Sequence, residues 1–585
     1  MNAHQYFSQS ESPARRRYDA LRDFYFHGHP AIEVANRYGY KLSSFYSLAR
    51  DFRNHLKSNI GDSFFFKQDL SGRKPIEKTS QINDLIIRLR KQNYSTEDIV
   101  TMANSKDFTI SYGYVYQLLS KEGFTRLPRR SKDFKANQAI DKIEAPIARS
   151  LTIENESFST QSAGLLCFLP IIRKYGIDTL ISNSTYPSTR IIGRLSSILS
   201  FLALKLTGVR RYSVDDLWCM DRGSGLFAGL NVLPKNAWFS SYSHRVSRDM
   251  NVSFLKSMHT LWAEHNLLGD TSNLDFTTIP YWGDGAHLEN NWSGKRNKAL
   301  SSMLAVLAQD PDTGIIDYGN TDVTHKNESN VVLEYLDFYR ADGQKQNLKY
   351  LVFDSRFTNY ENLSKLDDQG IKFLTIRRRG KNIVEAIKAV DKTKWKTIRV
   401  EASGMKKRTI KVYDDTLILR GYKTPSGTAK KLRQVAITGH GKVKPALIIT
   451  NDFDIKTETV VRKYARRWLV EKQISEQIEF FHLNKVSSAM VIKVDFDLTM
   501  TILAHNLYRI FAKELERYSS MSDHRIYEKF IANNGRVTID NHKIKIEMKK
   551  KRELPLLLQS LTQFTELKYE QYGNRTIKFD GPASS

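Results

Sequence analysis

The spacing of apolar positions changes character along the chain, and each change predicts a different kind of element. Up to about residue 130 the pattern is one of short helices divided by tight turns. RYDALRDFYFHG carries apolar residues at helical spacing. Pro30 suits the start of a second helix, AIEVANRYG, and Gly39 its C-terminal turn, while LSSFYSLARDF at 42–52 opens with serines suited to capping. Helix, glycine turn, helix is the order of a helix-turn-helix. The order recurs in INDLIIRLRKQ at 82–92, a helix opened by Ser95, Thr96, Glu97 and Asp98, and ISYGYVYQLLSKEGF at 110–124. In each copy the third helix is the candidate groove reader, with Ser44 in the first and Ser111 and Tyr114 in the second as candidate DNA contacts. These patterns predict two modules, 1–60 and 61–130.

Residues 131–158 are polar with little periodicity and read as a linker. From 159 to 268 helical periodicity returns in LLCFLPIIRKYGI, RLSSILSFLALKL and FLKSMHTLWAEHNLL, a region expected to be mostly core. From 269 the period shortens. NLDFTTIPYW, KALSSMLAVLAQD and IIDYGNT read as strands, with a turn at Gly314. LKYLVFD is a short apolar strand ending in an acid, followed by a helix through NLSKLDDQG and a strand, KFLTIRRR. Residues 380–455 read mostly as strands: KWKTIRVEA, RTIKVYDD, TLILRGY, RQVAITG and KPALIITND. Helix resumes at 456 and runs to about 520, and 521–585 is expected to be a basic C-terminal region.

Composition narrows the partners. With 585 residues and 41% hydrophobic content the chain is long enough for several cores. The formal charge of +27 favours nucleic acid, because Lys and Arg neutralising phosphates supply most non-specific affinity. Two cysteines, Cys167 and Cys219, exclude a disulfide framework and a CxxC zinc module. Neither GxxxxGK[ST] nor HExxH occurs, so neither ATP hydrolysis nor zinc proteolysis is expected. The opening MNAHQYFSQSESPARRR lacks the apolar stretch of a secretory signal, and ILSFLALKL is too short to span a bilayer. The expectation is a cytoplasmic protein without a membrane partner, associated with the nucleoid when bound to DNA.

In so basic a chain, three acids stand out. Asp275 lies in a strand-like segment, Asp354 ends a strand, and Glu471 lies on a helix with Tyr464, Arg467 and Trp468 at offsets that share a face. Two acids on neighbouring strands and one on a following helix supply the oxygen ligands Mg²⁺ prefers, with Mn²⁺ as a substitute. Bound there, such ions would activate a water or a 3′-hydroxyl in phosphodiester chemistry. Arg467 and Tyr464 would then hold a DNA phosphate beside the carboxylates.

Tyr464-x2-Arg467-x3-Glu471 resembles the Tyr/Arg/Glu/Lys signature of IS4-type DDE transposases, including the IS1634-like branch. The Leu-Asp-Phe-Thr-Thr segment at Asp275 is similar to that group's first-aspartate motif. VFDSRFTNYENL followed by KFLTIRRRG is similar to its second. The resemblance extends from about 160 to 515. It implies an RNase H-like core (269–379 and 456–520) interrupted by a β-rich insertion (380–455); with the helix-turn-helix modules read from the N-terminal pattern and a helical C-terminal part, the expectation is a multidomain α+β protein. The resemblance further implies catalytic and metal roles for Asp275, Asp354 and Glu471, cleavage at the ends of a transposable element, and strand transfer into target DNA. The partners implied are double-stranded DNA and, in the synaptic complex, a second copy of the chain.

The chain departs from the signature at its lysine, whose position holds Ile478. Either Lys472 or Lys485 takes that contact or the contact is missing, and Glu476 stays open as a rival third ligand. Asp284 competes with Asp275 in the same way. Further candidate DNA contacts are Lys295, Arg296 and Lys298 near the first aspartate, Arg377 and Arg378 in the arginine run, and Trp395 in the insertion as a holder of a flipped base. Two other functions remain open at this point: a DNA-binding repressor or domesticated transposase without catalysis, and a metal-dependent endonuclease that cuts without joining.

Overall fold

The computed structural model describes residues 13–57, 77–91, 94–104, 110–122, 124, 151, 153–209, 216–280, 289–293, 298–340, 347–401, 407–440, 445–483 and 491–582. The chain divides into two compact units, Met1–Ala139 and Ile140–Ser585.

The first unit holds two three-helix bundles. Helices α1 (Pro13–Tyr25), α2 (Ala31–Arg37) and α3 (Leu42–Lys57) close over Ala20, Ala31, Val34, Ala35 and Phe45. Asp23 pins α1 to α2, accepting from Arg37 at 2.7 Å and contacting His29 at 2.8 Å. The turns at Gly28 and Gly39 need positive φ, +73° and +68°. Helices α4 (Glu77–Lys91), α5 (Thr96–Asn104) and α6 (Tyr112–Lys121) close over Ile86, Leu89, Ile99, Val115 and Leu119. Ser111 caps α6 by accepting from the Tyr114 N–H at 3.2 Å. The serines of α3 do not play that part. The carbonyl of Lys41 already accepts from Phe45 N, which puts Ser43 and Ser44 inside the helix.

The second unit begins with β1 (Glu156–Thr160), whose first residues fall in the stretch expected to be a linker. Helices α7 (Phe168–Lys174), α8 (Ile177–Asn183), α9 (Arg194–Leu206) and α10 (Arg248–Glu264) follow in the region expected to be helical. A ten-stranded mixed sheet then forms from β2 (Thr271–Pro280), β3 (Asn290–Ser293), β4 (Lys298–Gln309), β5 (Ile316–Val323), β6 (Tyr350–Phe353), β7 (Lys372–Ile376), β8 (Lys396–Glu401), β9 (Lys407–Lys423), β10 (Ala429–Thr438) and β11 (Ala446–Thr450). Its order is β3-β4-β2-β6-β7-β11-β10-β9-β8, with β5 also paired to β4. The joins β2–β6 and β6–β7 are parallel; every other join is antiparallel.

Within the sheet, helix α11 (Val331–Arg340) precedes β6, and α12 (Tyr360–Asp368) links β6 to β7. The strands of 380–455 form no sheet of their own. They extend the same sheet through β11 on β7, after a helix, α13 (Lys381–Lys388), in a stretch expected to be mostly strand. RTIKVYDD and TLILRGY, expected as two strands, are one 17-residue strand. The acidic pair between them makes no turn, because Asp414 accepts two bonds from Arg433 on β10, at 3.0 and 2.7 Å.

Helix α14 (Thr457–Phe480) crosses one face of the sheet, packing Val460, Val461 and Tyr464 on Tyr350, Val352, Leu374, Ile410, Val435 and Ile448. Alternate residues of the same strands, Leu351, Phe353 and Phe373, face the larger core on the other side. That core includes Leu363 and Leu366 of α12 and half of the residues of α15 (Val491–Glu514).

The C-terminal part is not simply helical or basic. Strands β12 (Gly535–Ile539), β13 (Lys543–Met548), β14 (Lys568–Tyr569) and β15 (Arg575–Asp580) flank helix α16 (Leu554–Leu561) and join β1 in a five-stranded sheet, order β1-β12-β13-β15-β14. KIKIEM buries every second residue, so its lysines sit beside an apolar stripe that a charge count hides. Among the described residues no helix is long and apolar enough to cross a membrane.

Candidate active site on two adjacent strands

The parallel pairing of β2 and β6 sets Leu274 opposite Phe353, and an aspartate follows each: Asp275 within β2 and Asp354 just past the end of β6. Asp275 shares a strand face with Asn273 and Thr277, all buried, whereas Leu274 points into the large core. Its Oδ1 accepts from the Phe276 N–H at 2.9 Å. Asp354 caps the short 3₁₀ turn Ser355–Phe357, accepting from the Ser355 N–H at 2.7 Å. The segments beyond the two acids are fastened together. Phe276 stacks on Phe357 with ring centres 3.9 Å apart, and Arg356 lies over Phe276 while donating to Glu328 at 2.6 Å.

Helix α14 meets this pair from above. Lys463 donates to Thr271 Oγ1 at 2.8 Å and sits 4.1 Å from the centre of the Tyr350 ring. One turn later Arg467 Nη1 lies 3.4 Å from Asp275 Oδ1, with the side chains only 4% and 10% exposed. Tyr464 is buried beside them, 5.5 Å from the Arg467 guanidinium. Burial pushes the Tyr464 phenol up; the charge of Arg467 opposes that, and those of Asp354 and Asp275 reinforce it. Arg467 and Tyr464, expected to reach a DNA phosphate, are thus buried against the carboxylates. Arg466, next in sequence, points elsewhere and pairs with Asp312.

Glu471 lies in α14 one turn beyond Arg467, on the face that carries residues 463 and 467. The side chains of Glu471, Trp468, Lys472, Glu476 and Ile478 are outside the described residues, as is that of Lys298 at the start of β4. Asp284, Lys295, Arg296 and Lys485 lie outside them entirely. Among the described residues no group of three or more His, Cys, Asp or Glu is arranged to hold a metal. The two described acids of the expected trio directly follow the paired residues Leu274 and Phe353, and carboxylate oxygens are the ligand type a divalent cation takes.

Asp354 opens onto a cleft of about 470 Å³ shared with Ser355, Arg377, Arg378, Arg379, His440, Tyr464 and Arg467. Arg377 donates to Gln434 at 2.9 Å, and Arg378 to the carbonyls of Ser355 and Arg356 at 3.1 and 3.3 Å. These two arginines build the wall while keeping their charge at it. Arg379 and His440 line the same cleft and were absent from the expected set. The third member of the arginine run carried a signal for Arg379; nothing comparable marked His440.

The remaining candidates stand apart. Trp395 is half-buried against Ile387, Ala436 and Leu447, with the Tyr413 ring 5.8 Å away, so it packs the outer strands. Ser44 is exposed on α3. Ser111 is occupied as a cap, and the Tyr114 hydroxyl donates to Asn83 at 2.6 Å, tying α6 to α4.

No curated protein matches this chain. A solved structure described as a piggyBac transposase synaptic complex with hairpin DNA is 12% identical over 63% of this chain and 79% of that one, with a TM-score of 0.33. A likeness of that size carries no argument. Residues 271–507 match the family model described as Transposase DDE domain. That span takes in β2, β6, α14 and the positions of Asp275, Asp354 and Glu471, so this part of the chain is similar to a transposase DDE domain.

Proposed function

We propose that this protein is a DNA transposase of the IS4 type, in the IS1634-like branch, that cuts at the ends of its element and joins them to target DNA. The observation that carries the reading is the placement of Asp275 and Asp354 on neighbouring parallel strands beneath the helix that bears Arg467 and Glu471. A mixed sheet covered by helices on both faces supports an RNase H-like core in 269–379 and 456–520, with 380–455 as its insertion. Asp275, Asp354 and Glu471 are the residues that would hold Mg²⁺ or Mn²⁺. Such ions supply activation of a water or 3′-hydroxyl and stabilisation of the leaving oxygen. The protein's own part is to orient the strand. The cleft beside Asp354, walled by Arg377, Arg378 and Arg379, presents cationic groups to a phosphodiester. Two helix-turn-helix modules, 1–60 and 61–130, bring the terminal repeats, and two copies of the chain pair the ends.

The test is cleavage of a labelled duplex spanning the element boundary, read on a denaturing gel. With Mg²⁺ the wild type nicks at the boundary. Asp275→Asn, Asp354→Asn and Glu471→Gln bind the duplex but leave it uncut, while Glu476→Gln remains active. A duplex that is shifted yet intact under every metal condition overturns the reading in favour of a DNA-binding protein. Loss of activity in Glu476→Gln alone moves the third ligand.

A further inference from the structure

Arg467 was expected at the DNA, yet it is one of the most buried cations among the described residues, and it faces the first aspartate. We infer that Arg467 occupies the cation position beside Asp275 until DNA enters the cleft, so that DNA binding and divalent-ion binding are coupled through its guanidinium. This rests on the transposase reading and adds an order of events to it.

The argument begins with charge. Asp275 is buried among Asn273, Thr277 and the Phe276 amide, which are neutral, and Arg467 Nη1 is 3.4 Å from its Oδ1. Burying a carboxylate in that way is costly unless a cation stands beside it. A divalent ion meets the same need, but an ion and a guanidinium on one carboxylate oxygen would repel each other at close range in a poorly screened site. The arrival of one therefore weakens the hold of the other.

Among the described residues, the cleft gives Arg467 a way out. Behind Arg467, Tyr464 is packed on Tyr350 and Val352, and Lys463 anchors the preceding turn of α14 to Thr271. Ahead lies the cleft, which Arg467 already lines together with Asp354 and the arginine run. A backbone phosphate in that cleft would offer the guanidinium two acceptor oxygens, the geometry it binds best. Movement of one side chain, with the helix held at Lys463, then strips Asp275 of its internal cation and leaves it ready for metal. Binding linkage makes the effect reciprocal: if DNA tightens metal binding, metal tightens DNA binding by the same factor.

The experiment measures Mn²⁺ binding to the full-length protein by electron paramagnetic resonance of the free ion, with and without the uncut boundary duplex. For the wild type, DNA should tighten Mn²⁺ binding on the order of tenfold. Arg467→Gln should bind Mn²⁺ tightly without DNA and gain less than about twofold from it, since the coupling of sites runs through the missing charge. Arg467→Lys, which keeps the charge but not the fork, should retain part of the coupling and serves where the glutamine variant folds poorly. Equal DNA effects in wild type and both variants overturn the inference. So does weaker Mn²⁺ binding by Arg467→Gln in the absence of DNA. Separately, if Asp275→Asn and Asp354→Asn bind Mn²⁺ as the wild type does, the metal reading itself fails, whatever Arg467 does.

Discussion

Arg466 and Arg467 are neighbours in sequence and opposites in environment. Arg466 pairs with Asp312 with both side chains about half exposed, whereas Arg467 and Asp275 are almost entirely buried. Water screens the first pair, and breaking it should change stability by no more than about 1 kcal/mol. Removing Arg467 leaves a buried carboxylate uncompensated, at a cost of about 3–5 kcal/mol. Urea denaturation of Arg466→Ala and Arg467→Ala therefore separates them, with only the second shifting the midpoint appreciably. Similar small losses in both would mean that water reaches Asp275 freely. The sequence showed that residues 464, 467 and 471 share a helix face, but not whether that face turns to DNA or to the sheet. An arginine serving a phosphate and one serving a buried aspartate leave the same periodicity.

At the scale of elements, the strand–acid–helix sequence around Asp354 was legible because YLVF is apolar throughout and is followed at once by a polar turn. The single strand β9 was not, because its Asp-Asp pair looks like a turn until Arg433 is seen across the ladder. The third helices of the N-terminal bundles show the same limit. Tyr114 was chosen as a groove contact, yet its hydroxyl reaches back to Asn83. One position after the buried anchors Phe45 and Val115 stand Tyr46 and Tyr116, which are 52% and 43% exposed. The repeated placement makes these tyrosines the better candidates on α3 and α6. Tyr114→Phe should then cost about 0.5–1.5 kcal/mol of stability through one lost hydrogen bond and leave DNA affinity unchanged. Tyr116→Ala should weaken binding to the boundary duplex without lowering the melting temperature. Band-shift titrations beside thermal melts decide the assignment, and the reverse pattern would restore Tyr114 as the contact.

At the scale of the whole second unit, the chain's last fifty described residues complete a structure begun far earlier. Strand β1 pairs with β12 from Glu156↔Ile539 to Thr160↔Gly535, joining the opening of the unit to its tail. Val537, Ile539, Ile544, Ile546, Met548, Tyr572 and Ile577 all belong to the core that also covers one face of the central sheet. The contact is close enough to exclude side chains. A Cβ on Gly164 would lie 2.0 Å from the Ile531 carbonyl oxygen, and one on Gly535 would lie 2.3 Å from that of Glu547. The tail's lysines alternate with these apolar residues, which is why the segment reads as a basic extension when charge is counted and as a strand when period is counted. The two readings predict different outcomes for a chain ended at residue 520. A solvated extension would be lost without consequence for folding. A sheet that buries β1 would leave that strand's edge and the core beneath it exposed, giving an aggregating protein. The latter is expected, and Gly164→Ala in the full chain should lose about 1–3 kcal/mol by forcing the two segments apart. Size-exclusion chromatography of the truncated chain and urea denaturation of the glycine variant test the same packing independently. A monomeric truncated chain with an unchanged melting temperature would show that the central sheet and its carboxylates stand without the tail.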